Sequence, residues 1–162
     1  MLQLSRAWCA VGVSALLVLS GCAQVPRAAV APDLWTGRLA LRVESQQAQS
    51  FSAGFELKGN AQTGQLSLYS PLGGTIAQLA WAPGDARLRL DGRERQFDSL
   101  DALTKEATGT ALPVASIFQW LAGANASTAG WQAELGELHN GQLLARRTAP
   151  PPAVEMRLVL DQ

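Results

Sequence analysis

Reactive residues are scarce in this chain: 162 residues hold one histidine, two cysteines and one tyrosine. With only His139, Cys9 and Cys22 available, a zinc cluster cannot be assembled, because such sites need several Cys and His at close spacing. An excess of charge of one sign is lacking too, since 13 Lys and Arg face 13 Asp and Glu. No basic patch of the kind that holds nucleic acid is implied. Phosphate-binding and nucleophile-elbow signatures are equally thin. Gly59-Asn60-Ala61-Gln62-Thr63-Gly64 has P-loop glycine spacing, but Gln65-Leu66 stands where Lys and Ser/Thr are required, so it reads as a hairpin turn. No G-x-S-x-G segment occurs. Asp98 and Asp101 stand where a helix begins, a place that favours acidic residues for capping and dipole reasons. His139 adjoins a turn with no Ser or Cys partner implied. Catalysis is not expected.

What is present begins with an address. Arg6 is followed by the apolar run Ala7 to Leu19 and then by Ser20-Gly21-Cys22. A charged start, a short apolar run and small residues make a secretory signal, and the run falls short of the ~20 residues that a spanning helix needs. Leu19-Ser20-Gly21-Cys22 resembles the lipobox of bacterial lipoproteins. That resemblance implies cleavage after Gly21 and acylation of Cys22, so residues 1–21 are expected to be removed. Several acyl chains on one residue make a lasting anchor, at ~0.8 kcal/mol per buried CH₂. Residue 23 is Ala rather than the Asp that marks inner-membrane retention in Gram-negative lipoproteins, so the implied destination is the outer membrane, facing the periplasm. Residues 22–33, with Pro26 and Pro32 and no periodicity, read as a flexible tether.

From Leu34 the pattern turns to period two, the mark of strands with one apolar face. Leu39, Leu41 and Val43 alternate with Arg38, Ala40 and Arg42; Phe51, Ala53, Phe55 and Leu57 share a second face. Leu66 and Leu68, Leu79 and Trp81, and Leu88 and Leu90 follow, divided by Gly59-Asn60, Pro83-Gly84-Asp85 and Asp91-Gly92. Such short runs between turn signals predict an antiparallel meander. A helix capped by Asp98 is predicted to carry Leu100, Leu103 and Ala107 on one stripe and to end at Gly109. A second is predicted with Pro113 in its first turn and Val114, Ile117, Phe118 and Leu121 on one face. Strands resume over Trp131–Leu138 and Leu143–Arg147, with Asn140-Gly141 as a hairpin signal, and a last strand covers Val154–Leu160. About eight or nine strands and two helices result, in a single domain over 34–162. A sheet with one apolar face must bury it; a filled core and an apolar concavity both satisfy that demand. Between two strands, Ser70-Pro71-Leu72-Gly73 places a leucine at the tip of a turn, where on a membrane-held protein it can act as a hydrophobic probe.

The lipobox, Trp35-Thr36-Gly37-Arg38-Leu39-Ala40, Ser50-Phe51-Ser52, Ser70-Pro71-Leu72-Gly73, Gly109, Leu112-Pro113-Val114 and Trp120-Leu121-Ala122-Gly123 together resemble the LolB family of outer-membrane lipoprotein receptors. The resemblance implies a mainly β fold, an unclosed, bent antiparallel β-barrel with a short helical lid over an apolar cavity. It implies a monomeric receptor without cofactor or metal, which takes the acyl chains of client lipoproteins from a LolA-type periplasmic carrier and inserts them among outer-membrane lipids. The family's insertion-loop leucine falls on Leu72, flanked by Pro71 and Gly73. Leu39, Leu41, Val43, Phe51, Phe55, Leu66, Leu68, Trp81, Leu90, Phe118 and Trp120 are the candidates for the cavity wall or lid. The competing reading is a lipid-binding or structural outer-membrane lipoprotein with no transfer role. The part after Asn125 resembles the family only loosely.

Overall fold

A computed structural model describes residues 34–45, 48–128 and 130–161. The signal segment, the tether and Cys22 lie outside the described residues. Nine antiparallel strands form one sheet in the order β6-β5-β4-β3-β2-β1-β9-β8-β7. They are β1 (Leu34–Glu44), β2 (Gln49–Gly59), β3 (Gly64–Tyr69), β4 (Thr75–Ala82), β5 (Asp85–Leu90), β6 (Arg93–Phe97), β7 (Trp131–Glu134), β8 (Gln142–Arg147) and β9 (Ala153–Leu160). Two helices, α1 (Leu100–Thr108) and α2 (Val114–Leu121), interrupt the series after β6. The sheet ends on β6 and β7, which do not pair with each other, so the barrel is open.

Register explains why the apolar residues meet. Leu39 stands opposite Ala53 on β2 and Leu158 on β9; Leu66 stands opposite Leu57 and Leu79. Because the side-chain period is two, these pairings put every alternating apolar set on one face. The helices lie against that face: Leu103, Leu112, Ile117, Phe118, Trp120 and Leu121 join the strand residues in one core cluster. Among the described residues, all nine strands and the core cluster lie C-terminal to Cys22. Close packing also dictates two glycines. A Cβ on Gly64 would lie 2.4 Å from the Trp81 ring, and one on Gly37, at φ +156°, would lie 2.0 Å from the Val159 carbonyl oxygen.

Several boundaries differ from the sequence reading. The cap of α1 is Ser99, not Asp98: its extended backbone lets the hydroxyl accept from the Ala102 amide at 3.2 Å. Ser99→Ala is expected to lower stability by about 1 kcal/mol in chemical denaturation. Thr104, rather than Ala107, completes the buried stripe of α1, and Ala107 is exposed. Thr104 is tolerated there because its hydroxyl donates to the Asp101 carbonyl at 3.2 Å and accepts from the Leu112 amide at 3.1 Å. Pro113 precedes α2 as its cap, with ψ at 67°, outside helical range. The strand expected over Trp131–Leu138 ends at Glu134 and passes into a 3₁₀ turn, Leu138–Asn140. Asn140-Gly141 closes that turn instead of making a two-residue hairpin, with Gly141 left-handed at φ 74° and the Asn140 amide donating to Glu137 at 2.7 Å. Strand β6 escaped the apolar alternation because its sequence, RERQF, is almost wholly polar. The Gly59–Gly64 segment is a hairpin loop: Asn60 Oδ1 accepts from the amides of Gln62 and Thr63 at 2.8 and 3.0 Å.

Candidate functional site: an apolar cavity beneath the helices

Between the sheet and the helices lies a small cavity of about 50 Å³. Its wall comes from the strands through Leu39, Phe55, Leu57, Leu66, Leu79, Trp81, Met156 and Leu158, and from the helical segment through Leu100, Thr104, Leu112, Val114 and Ile117. Thr104 is its one polar side chain, and that hydroxyl is occupied as described above. Such a site offers apolar burial and little directional bonding, so it selects for hydrocarbon and accommodates varied shapes. At this volume it holds a few water-sized groups.

The sequence candidates divide into three groups. Leu39, Phe55, Leu66 and Trp81 line the cavity. Leu41, Val43, Phe118 and Trp120 are buried in the surrounding core, and Leu68 is partly buried against it. Phe118 packs edge-on against Trp35 and Trp81 with ring centroids 5.5 and 6.2 Å apart, and Trp120 meets Trp131 at 6.4 Å. Phe51 and Leu90 are instead on the rim, 37% and 43% exposed. Both have the inward parity, opposite Leu41 and Ala77, but stand at strand ends outside the cavity lining. Leu57, Leu79, Leu100, Thr104, Leu112, Val114, Ile117, Met156 and Leu158 complete the lining. The periodicity contained most of them as core residues, but Thr104 and Leu112 had no apolar rhythm to mark them.

Two polar contacts tie the helical segment to the sheet: the exposed pair of Arg95 on β6 with Glu106 on α1, at 2.7 Å, and a buried one made by Arg147. Arg147 on β8 is buried, with no carboxylate in ion-pair range among the described residues. Its guanidinium donates to Thr110 Oγ1 at 2.6 Å and the Pro152 carbonyl at 3.2 Å, and lies 5.6 Å from the Trp131 ring centre. Its Nε has no partner. A buried cation with so few acceptors depends strongly on each. Thr110→Val is therefore expected to destabilise the fold by about 1–3 kcal/mol, measured by denaturant unfolding. Elsewhere the titratable groups are surface groups. Lys58 is raised by its hydrogen bond and charge interaction with Glu56, and Arg87 and Arg146 are raised by their bonds to Asp85 and Glu155. Cations with raised values keep their charge until strongly alkaline pH, so these three cations stay charged near neutrality. Among the described residues there is no group of His, Cys, Asp and Glu able to hold a metal.

Ser70-Pro71-Leu72-Gly73-Gly74 joins β3 to β4. The turn is fixed internally: the Gly73 amide donates to the Ser70 carbonyl at 2.9 Å, the Ser70 amide to the Gly74 carbonyl at 2.8 Å, and the Gly74 amide to Ser70 Oγ at 3.2 Å. Gly73 supplies the left-handed φ of 84°. At the tip Leu72 is 99% exposed.

The family model for "Outer membrane lipoprotein LolB" matches residues 34–149, the stretch that contains both helices, this turn and all of the cavity lining except Met156 and Leu158. The chain belongs to the LolB family. Outer-membrane lipoprotein LolB of Bordetella petrii is 34% identical over 186 residues, covering 97% of this chain and 92% of that protein. The Bordetella pertussis LolB is 30% identical, over 91% of this chain and 88% of that protein. The LolB of Chromobacterium violaceum is 29% identical over 68% of this chain and 65% of its own length. As a LolB protein it is a lipid-anchored outer-membrane lipoprotein receptor that faces the periplasm and works in lipoprotein localisation. The unclosed nine-stranded sheet with two short helices is the architecture that the sequence resemblance implied.

Proposed function

We propose that this LolB domain receives the acyl chains of client lipoproteins from a LolA-type periplasmic carrier into the cavity beneath α1 and α2, and releases them into the outer membrane through the Leu72 turn. The domain acts as a monomer anchored through acylated Cys22, after removal of residues 1–21, with residues 22–33 as its tether. The observation that carries the reading is the pairing of an almost wholly apolar cavity under a helical cover with a fully exposed leucine on a separate, rigid turn.

The physical steps need no nucleotide. Acyl chains are driven into the cavity by removal of apolar surface from water, at about 25 cal/mol per Å². Transfer between two apolar cavities requires only a difference in affinity, with each tenfold step worth ~1.4 kcal/mol. Final insertion into a bilayer is downhill for the same reason. Movement of the helices opens the site, and the Arg147 to Thr110 contact fixes their connector while they are closed.

The test is transfer. The soluble domain without Cys22, mixed with a carrier loaded with acylated lipoprotein, is expected to take up the lipoprotein as a complex that survives gel filtration. Absence of that complex would sink the receptor reading in favour of a lipid-binding lipoprotein with no transfer role.

A further inference from the structure

The register gathers three exposed apolar residues at one end of the sheet. Among the described residues five large hydrophobics are exposed: Leu34, Phe51, Leu72, Leu90 and Val159. Tyr69 and Thr75 pair where β3 and β4 meet the Leu72 turn. Leu90 pairs with Arg93 at the adjacent β5–β6 turn, two residues along β4 from that point. Phe51 lies on β2, three residues beyond Gly54, which pairs with Tyr69. Leu72, Phe51 and Leu90 thus share one end. Leu34, opposite Lys58, and Val159, opposite Arg38, stand toward the other.

The charges on these strand ends cancel. Arg89 and Arg93 are exposed and make no ion pair among the described residues, and neither do Asp91 and Glu94 beside them; Glu94 stands opposite Arg89. Arg42 and Glu44, at the end of β1, pair at 3.7 Å. Arg89, with Thr75, Ile76, Gln78, Asp91 and Gly92, also lines a groove of about 310 Å³ at the foot of the Leu72 turn. Three apolar points inside a balanced collar fit a surface that is itself apolar beneath and charge-paired above.

We propose that this whole end of the sheet, with Phe51 and Leu90 as shoulders on either side of Leu72, beds on a zwitterionic phospholipid surface. The footprint rests on the Leu72 insertion reading and extends it from one residue to a face with a defined lipid preference. Apolar contact supplies the affinity, and the collar pairs its cations with phosphate and its carboxylates with headgroup amines. A footprint without net charge does not depend on anionic lipid and is little screened by salt. Seating it also brings the connector of the helices toward the bilayer, because Gly109 approaches Gln49 and Thr110 is held by Arg147, which pairs with Val154 beside the end of β1.

Environment-sensitive dye on single cysteines tests this in the soluble domain without Cys22. Dye at Phe51→Cys or Leu90→Cys is expected to shift to the blue with vesicles of phosphatidylethanolamine and phosphatidylcholine, and dye at Leu34→Cys or Val159→Cys is not. In co-sedimentation, Phe51→Glu and Leu90→Glu are expected to weaken vesicle binding about tenfold, equivalent to ~1.4 kcal/mol. Added phosphatidylglycerol or raised salt is expected to change it less than about twofold. Equal dye shifts at both ends, unaltered binding by the two Glu variants, or binding that requires phosphatidylglycerol would overturn the proposal. Uptake from the loaded carrier, measured on the unsubstituted domain, reports the receptor reading separately.

Discussion

Leu72→Glu is expected to leave uptake from the carrier intact and to cut release of the lipoprotein into liposomes by at least about tenfold, the size of ~1.4 kcal/mol lost at one contact. The two effects separate because Leu72, 99% exposed, touches neither the cavity wall nor the core. The turn is held by its own backbone and Ser70, so the fold does not depend on the leucine side chain. A carboxylate at that tip must stay hydrated, and the probe can no longer enter hydrocarbon. Thermal unfolding is expected to stay unchanged, which confines the lesion to release. Normal transfer by Leu72→Glu would remove the turn from the mechanism.

Trp120→Ala is expected to have the largest effect on stability, about 3–5 kcal/mol for a large aromatic removed from a closed core. Trp120 has no solvent exposure, packs against Trp131, and donates its indole N–H to the Ala126 carbonyl at 2.9 Å. Truncation leaves a void and frees that carbonyl in the segment that returns from α2 to β7. Because a domain is typically stable by only ~5–15 kcal/mol, urea unfolding should show a loss comparable to a large part of the total. Trp120→Phe, which keeps most of the volume but loses the hydrogen bond, should cost less, about 1–3 kcal/mol. Equal losses for the two variants would show that the bond, and not the packing, is what Trp120 contributes.

The strands were legible because burial on one face imposes a two-residue rhythm that composition preserves. Leu39, Leu41 and Val43 on β1, and Ala53, Phe55 and Leu57 on β2, fall on the inner face by that rhythm and are buried there. β6 was illegible for the same reason: an edge strand with four polar residues has no rhythm to read. Ser99 and Asp98 are both good caps, and only the backbone conformation chooses between them. The arginine tie was also hidden. Arg147 shares the inward parity of Leu143 and Ala145, but a charged residue gives no apolar signal, and only the fold shows that Thr110, 37 positions away, and the turn through Pro152 enclose it.

The sequence by itself determined the local order of strands and helices and the exposed leucine turn, because each is specified by neighbours along the chain. With the LolB resemblance it also carried the function. Tertiary structure decided which apolar residues are wall, core or rim. Phe55 and Phe51 have the same parity on one strand, but Phe55 lines the cavity and Phe51 stands exposed. Periodicity fixes the face on which a side chain projects; how far along that face the helices extend is set by packing between distant segments.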